Sequence, residues 1–498
     1  MERIVNALGK LASGKGLIYA VSALCATDAF VLSAQTFTVL ENVGSRAGLV
    51  QATNGDLYGT IYGPGPLPGS VFKITPSGAL TALYDFCSQS GCTDGKAPAA
   101  GLVQAANGDL YGTTSFGGAN TNSANPDGAG TIFKITPSGT LTTLYSFCSQ
   151  ANCADGENPY TGLVQATNGD LYGTVYSGGT MGGGTIFKIT PSGALTTLYN
   201  FCSKSGCVDG DLPLAGLVQA ANGDFYGTTG YGGVANSSCQ YGTCGTVFKI
   251  TPGGALTTLY SFCSQSGCAD GSNPYAGLVQ ATNGDLYGTT AYGGANCAPS
   301  GCGTVFKISP SGTLATLYSF CSESNCADGE IPLAGLVQAA NRDLYGVTDY
   351  GGANGEGGTI FKITPSGALT TVYSFCAQSL CADGQYPEGL TQDTNGSFYG
   401  SAYDGGAIFD GTVFRLSVGL DPFVETRPTS GEVGGAVEIL GSDLTGATSI
   451  TFNGTAATFT VVSRYLITTT VPGGATTGTV QVATPNGTLS SNVPFRIP

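Results

Sequence analysis

Along most of the chain the apolar positions come in short bursts rather than helical stripes. GLVQ, DLYGTT, GTIFKIT and LTTLYSF follow one another, and the set returns at Gly48, Gly101, Gly162, Gly216, Gly277, Gly335 and Gly389. Each burst has the β-branched and aromatic content of a strand. Asn-Gly separates the first two and Pro-Ser-Gly the last two, both tight-turn signals for antiparallel hairpins. Four antiparallel strands in about 50 residues make one blade of a β-propeller. The last copy stops after GTVFRLS (411–417) without its fourth strand, while a lone strand of that kind, Thr36–Val43, precedes the first GLVQ. The pattern therefore predicts an all-β, seven-bladed propeller over 36–418, closed by the N-terminal strand so that no sheet edge stays unpaired. Its rival, an open β-solenoid, would not need the missing strand supplied from the opposite end.

Spacing separates the fixed parts of the repeat from the variable ones. From the Gly of GLVQ to the Gly of LYG is 11 residues in every copy, and from the Phe of FK to the next copy's Gly is 29, or 28 in the last. From LYG to that Phe the distances are 13, 21, 14, 21, 18, 15 and 14. Length variation thus sits in the loop between the second and third strands, on the same face as the connection to the next blade. Loops of that kind on a rigid scaffold are where binding concentrates.

Sixteen of the 17 cysteines form i, i+5 pairs: Cys87–Cys92, Cys148–Cys153, Cys202–Cys207, Cys239–Cys244, Cys263–Cys268, Cys297–Cys302, Cys321–Cys326 and Cys376–Cys381. Six lie in the blade connections and two in variable loops. Zinc would ask for closer pairs, with a second pair or a histidine nearby. Local disulfides fit better, each stiffening one loop without holding distant segments together. They also point to an oxidising compartment. Residues 1–34 run basic (Arg3, Lys10, Lys15), then apolar, then Ser33-Ala34, the order of a secretory signal peptide. The competing reading of that stretch is a buried or membrane-anchoring helix. The expected protein is secreted or at the cell surface, with no membrane span in the mature chain.

Composition narrows the chemistry. There are 80 Gly and 23 Pro without a G-X-Y period, so collagen is excluded, and the aromatic content excludes a disordered chain. A net charge of −15 argues against nucleic acid. With no histidine, the chain has no Ser-His-Asp or Cys-His catalysis and no imidazole base.

Two rings of side chains remain as candidates on the loop face. Asp94, Asp155, Asp209, Asp270, Asp328 and Asp383 each precede Gly in a connecting loop. They read as turn formers, or as a calcium-holding ring of carboxylates. Tyr62, Phe116, Tyr176, Tyr231, Tyr292, Tyr350 and Tyr403 stand at the roots of the variable loops. They read as a stacking surface for sugar rings, or as ordinary interblade packing. The repeated FK base and NGD acid (Lys73 and Asp56, for example) read as structural pairs. No pair of carboxylates can be singled out for catalysis, although paired-acid glycoside hydrolysis needs no histidine. The function expected is a binding or adhesion scaffold for a glycan or an extracellular protein. The alternatives are a polysaccharide-active enzyme using carboxylates on the same face, and a structural surface protein.

Residues 421–498 change character: no cysteine, and short strands AVEILG, SITFNG, TFTVVS, LITTTV, TVQVAT and PFRIP. The segment PTSGEVGGAVEILGSDLTGATSITFNGTAATFTVVS with VPGGATTG closely resembles an IPT/TIG domain, which implies an immunoglobulin-like β-sandwich. NGDLYGTT, GTIFKITPSG and LTTLYSF resemble the GloVer-type repeats of bacterial choice-of-anchor tandem-repeat proteins. That resemblance implies export or surface association and supplies no catalytic residues. No apolar tail follows the TIG-like segment, so attachment is expected to be non-covalent or absent.

Overall fold

A computed structural model of the chain describes residues 35–497 except 64–66, 122–124, 238, 240–241 and 298–300. The leader expected over 1–34 lies outside the described residues. Nine separate four-stranded sheets account for the fold, seven from the repeats and two from the C-terminal segment. No α-helix occurs among the described residues, and no helix there is long and apolar enough to cross a membrane.

Each repeat folds as an antiparallel meander. In repeat 1 the order is Val50–Gln51, Leu57–Ile61, Ser70–Ile74 and Leu80–Asp85. The LYG tyrosine and the FK phenylalanine point into the core; Tyr58 and Phe72 are fully buried. Glycine follows the tyrosine because Phe72 fills the space where a side chain would go: a Cβ on Gly59 would lie 2.7 Å from its Cζ. Neighbouring sheets join through an edge-on phenylalanine pair, as with Phe86 and Phe133 at 5.1 Å or Phe147 and Phe187 at 5.5 Å.

One glutamine per repeat links each sheet to the one before it. The side-chain oxygens of Gln104, Gln165, Gln219, Gln280, Gln338 and Gln392 each accept the N–H of a turn residue in the preceding repeat, at 2.8–3.0 Å. The series returns on itself: Gln51 of repeat 1 accepts the N–H of Thr394 of repeat 7 at 3.1 Å.

The N-terminal strand Thr36–Glu41 completes the last sheet, pairing antiparallel with Thr412–Ser417. It carries the same register shift that the fourth strand shows elsewhere, here between Val39 and Glu41. In that register Val43 stands where other repeats bury a phenylalanine such as Phe147. Gly44–Ala47 then spans what Cys148–Thr161 spans elsewhere, so the seam between repeats 7 and 1 has no disulfide-bonded loop above it.

Two further sheets make up the C-terminal segment. One orders Val424–Arg427, Ala436–Gly441, Leu466–Thr470 and Phe459–Val461; the other orders Thr455–Ala457, Ser449–Phe452, Val480–Thr484 and Gly487–Ser490. They share a core that includes Ile439, Phe452, Ile467, Val482 and Phe495. The PFRIP segment differs from expectation: it makes isolated bridges (Ser430 with Arg496, Gly478 with Phe495) and no continuous strand. This unit rests on the tight-turn side of repeats 1, 2 and 7. Arg427 donates to the Gln51 carbonyl at 3.0 Å and to Gln104 Oε1 at 3.2 Å, and Thr394 Oγ1 meets Ser442 Oγ at 3.2 Å. The long loops emerge from the opposite side.

Candidate functional site

All eight i, i+5 cysteine pairs are bonded as disulfides. In repeats 4 and 5 the variable-loop disulfide lies against the connecting-loop one, so that four sulfurs come within 4.8 Å (Cys239, Cys244, Cys263 and Cys268 in repeat 4). A zinc site built from four cysteines would use four thiolates, and here each sulfur is bonded to another.

The six loop aspartates are fully buried. Asp94 is representative: Oδ2 accepts from Tyr84 Oη (2.8 Å), Ser88 N (2.9 Å) and Ser88 Oγ (3.0 Å), and Oδ1 accepts from Gln89 N (3.3 Å). Asp155, Asp209, Asp270 and Asp328 repeat the arrangement, and Asp383 does so with Ala377 in place of the serine. Burial, tempered by Ser149 and reinforced by Asp155, pushes the Tyr145 phenol up to about 12. At Asp209 burial works upward, but donors from Ser203, Tyr199 and the backbone outweigh it and lower the carboxyl. These carboxylates spend their oxygens on their own loops.

The seven aromatics fall into two registers. Counting from the LYG glycine, Tyr62, Tyr176 and Tyr403 occupy the third position, level with Ser115, Gly230, Ala291 and Asp349. Phe116, Tyr231, Tyr292 and Tyr350 occupy the fourth, level with Gly63, Ser177 and Asp404. Strand pairing fixes this alignment, because Glu157 bridges Ser177 just as Lys96 bridges Phe116. The YGG motif suggests a single ring only when copies are aligned on the aromatic.

A third set of residues meets these aromatics. After the loop proline, repeats 2–7 carry Ala99, Tyr160, Leu214, Tyr275, Leu333 and Glu388; repeat 1 carries Arg46 after Ser45. Tyr160 lies edge-on to Tyr176 at 5.5 Å and to Phe116 at 6.5 Å. Tyr275 shares a 2.8 Å hydroxyl contact with Tyr231 and packs edge-on to Tyr292 at 6.3 Å. Tyr386 lies 5.1 Å from Tyr350. The Arg46 guanidinium sits 4.2 Å from the Tyr62 ring and 4.4 Å from the Tyr403 ring, and donates to Tyr403 Oη at 2.9 Å.

Electrostatic contacts also join non-adjacent repeats into one cluster. Tyr160 of repeat 3 senses Tyr62 and Arg46 of repeat 1, and Tyr275 of repeat 5 senses Tyr176 of repeat 3. Two half-buried acids complete it. Burial pushes Asp349 up to about 6. Burial, then Asp349, pushes Glu388 up to about 7 against the pull of Arg46. Unlike groups from different repeats therefore converge, which repetition in the sequence conceals.

The FK bases and NGD acids lie on the tight-turn side. Lys73 meets Asp56 at 3.2 Å, and three other repeats have the same pair at 3.7–3.8 Å. In repeat 7 the acid moves: Ser397 replaces it, and a buried Asp393 stands in the place of Ala52.

A family model, the Gloeobacter/Verrucomicrobia repeat, matches residues 5–241 and again 233–480. No curated protein matches the sequence. Among solved structures, a fungal alcohol oxidase of the AA5 family, in complex with copper, aligns over 93% of this chain and 98% of its own at 13% identity and a TM-score of 0.51. The likeness is one of fold. A periplasmic gluconolactonase from Pseudomonas aeruginosa (15% identity, 73% and 98% covered, TM-score 0.43) and an oligogalacturonate lyase in complex with manganese (8%, 76% and 92%, 0.45) are more distant.

Proposed function

Since the chain belongs to the Gloeobacter/Verrucomicrobia repeat family, we propose that it is an exported or surface-associated binding scaffold that engages a glycan at the centre of its loop face. In this reading 1–34 is a signal peptide, 36–418 a seven-bladed propeller closed by its N-terminal strand, and 421–498 an IPT/TIG-type sandwich. The closed glutamine series and the pairing of Thr36–Glu41 with Thr412–Ser417 support the ring. Two packed four-stranded sheets support the sandwich. Eight disulfides support an oxidising compartment.

The observation that carries the function is the convergence of Tyr160, Tyr176, Tyr275 and Tyr350 with Arg46, Asp349 and Glu388. Rings packed edge-on give an apolar surface of alternating faces and edges, while the carboxylates and guanidinium offer hydrogen bonds to hydroxyl pairs. Calcium has no part in the reading, because the loop aspartates are buried and already satisfied. The paired acids favour one second reading, cleavage of the bound glycan by general acid and base.

A glycan array on the full chain, with and without chelator and with sampling for released sugar, tests both. Retention without release, unaffected by chelator and weakened about tenfold by Tyr275→Ala, is the expected result. Released oligosaccharide, lost in Glu388→Gln, would move the protein to the enzyme class. Silence on every spot would refute the glycan assignment.

A further inference from the structure

The seam between repeats 7 and 1 opens a second site on the loop face. Where the other joins are roofed by a disulfide-bonded loop and filled by a buried phenylalanine, this one has Val43 and the short Gly44–Ala47 link. The result is a cleft of about 680 Å³. Its walls are apolar and aromatic, with Tyr62, Tyr403 and Phe409. Phe409 is 60% exposed and held at φ 59°, a left-handed conformation unusual for a large apolar residue. Three carboxylates, Asp85, Asp404 and Asp410, line the same cleft; no basic side chain is among its described lining residues, and the Arg46 guanidinium stands against the Tyr62 and Tyr403 rings. None of the three is in an ion pair among the described residues.

We propose that this seam cleft binds ligands bearing an ammonium group on an apolar or pyranose body. An aromatic-walled hollow with three unpaired carboxylates attracts a cation twice, through ring quadrupoles and through charge. The chain already puts one cation against two of these rings, the Arg46 guanidinium. A ligand ammonium would approach from the cleft side, its apolar body against Phe409. Anions are disfavoured by the lining and by the net charge of −15. The cleft borders the central cluster through Tyr62 and Tyr403, but its ligand chemistry and its test do not depend on the glycan reading.

Calorimetric titration of the full chain with benzylammonium and with its neutral counterpart benzyl alcohol decides the matter. Glucosamine and N-acetylglucosamine form a second pair, separating an amino-sugar source from a simple amine. The charged member of at least one pair binds at least tenfold tighter than the neutral one, and the preference shrinks as salt rises. Asp404→Asn and Asp410→Asn each weaken it about 5-fold, and Phe409→Ala weakens it about 3- to 30-fold. All three positions are partly or largely exposed, so the melting temperature stays near that of the parent. Glu323→Gln, an exposed acid in a connecting loop outside both sites, leaves the affinity unchanged. Equal binding of charged and neutral partners would overturn the proposal. So would no binding of either amine, or binding that the cleft variants leave unchanged.

Discussion

Gln51 is where the series of repeats meets its own beginning, and replacing it with alanine tests that closure directly. Its side chain makes two hydrogen bonds to repeat 7, accepting from Thr394 N at 3.1 Å and donating to Thr394 Oγ1 at 3.1 Å. Both residues are buried. Truncation leaves the Thr394 N–H without a partner, at a cost of about 1–3 kcal/mol, and removes a second bond worth about 1 kcal/mol net. The expected loss is about 2–4 kcal/mol, concentrated at the seam. In a unit of this length each kcal/mol moves Tm by only about 1 °C, since unfolding entropy grows with residue number. Amide hydrogen exchange is the better assay: protection falls at Thr394 and along Thr36–Glu41, while repeats 3–5 keep theirs. Gln219→Ala, at an interior join, serves as the matched control. If Gln219→Ala loosens its join and Gln51→Ala leaves the seam as protected as before, the ring is not closed in solution.

Other expectations follow from the loops and the central acids. Peptide mapping without reduction recovers eight disulfides, each within one i, i+5 pair; a bridge between repeats would contradict the fold. Asp155→Ala removes the acceptor for Tyr145, Ser149 and Gln150 and loosens its loop by about 3 kcal/mol or more. Exchange should accelerate over 148–157 and stay unchanged at the seam. The third expectation concerns pH. Asp349 and Glu388 hold protons in the folded protein that the unfolded chain would already have released. Their contribution therefore favours folding most below the ordinary carboxylate range, and is lost as pH rises from about 4 through about 7. The Tm of the parent falls over that interval, and Glu388→Gln flattens part of the fall. An unaltered slope in that variant would show that the acid is not desolvated in the folded state.

The strands were legible because the same short apolar bursts and fixed turns recur through seven copies, leaving little for tertiary context to decide. So were the disulfides and the stray N-terminal strand. The central cluster was not. Repetition advertises what repeats share, whereas Arg46, Asp349 and Glu388 matter because their repeats depart from the pattern at one position. The residue after the loop proline was the available signal: Ala, Tyr, Leu, Tyr, Leu and Glu occupy it in turn. The two registers of the loop-root aromatics are hidden for a related reason, since aligning the copies on YGG conceals the one-residue offset between them. The loop aspartates left two readings open, turn formers or a calcium-holding ring, because burial does not show in a turn motif.

The pairing of Thr36 with Ser417 also fixes how the molecule responds to pulling. The chain enters the seam at Thr36 and leaves it toward the C-terminal unit at Ser417, so both leads depart from the same end of one antiparallel pair. Tension applied between them would peel the strand pair one bond at a time instead of loading all its bonds together. Held by one end only, the molecule feels no such peeling force. Tethered at both, it would open first at the seam and would do so at low force.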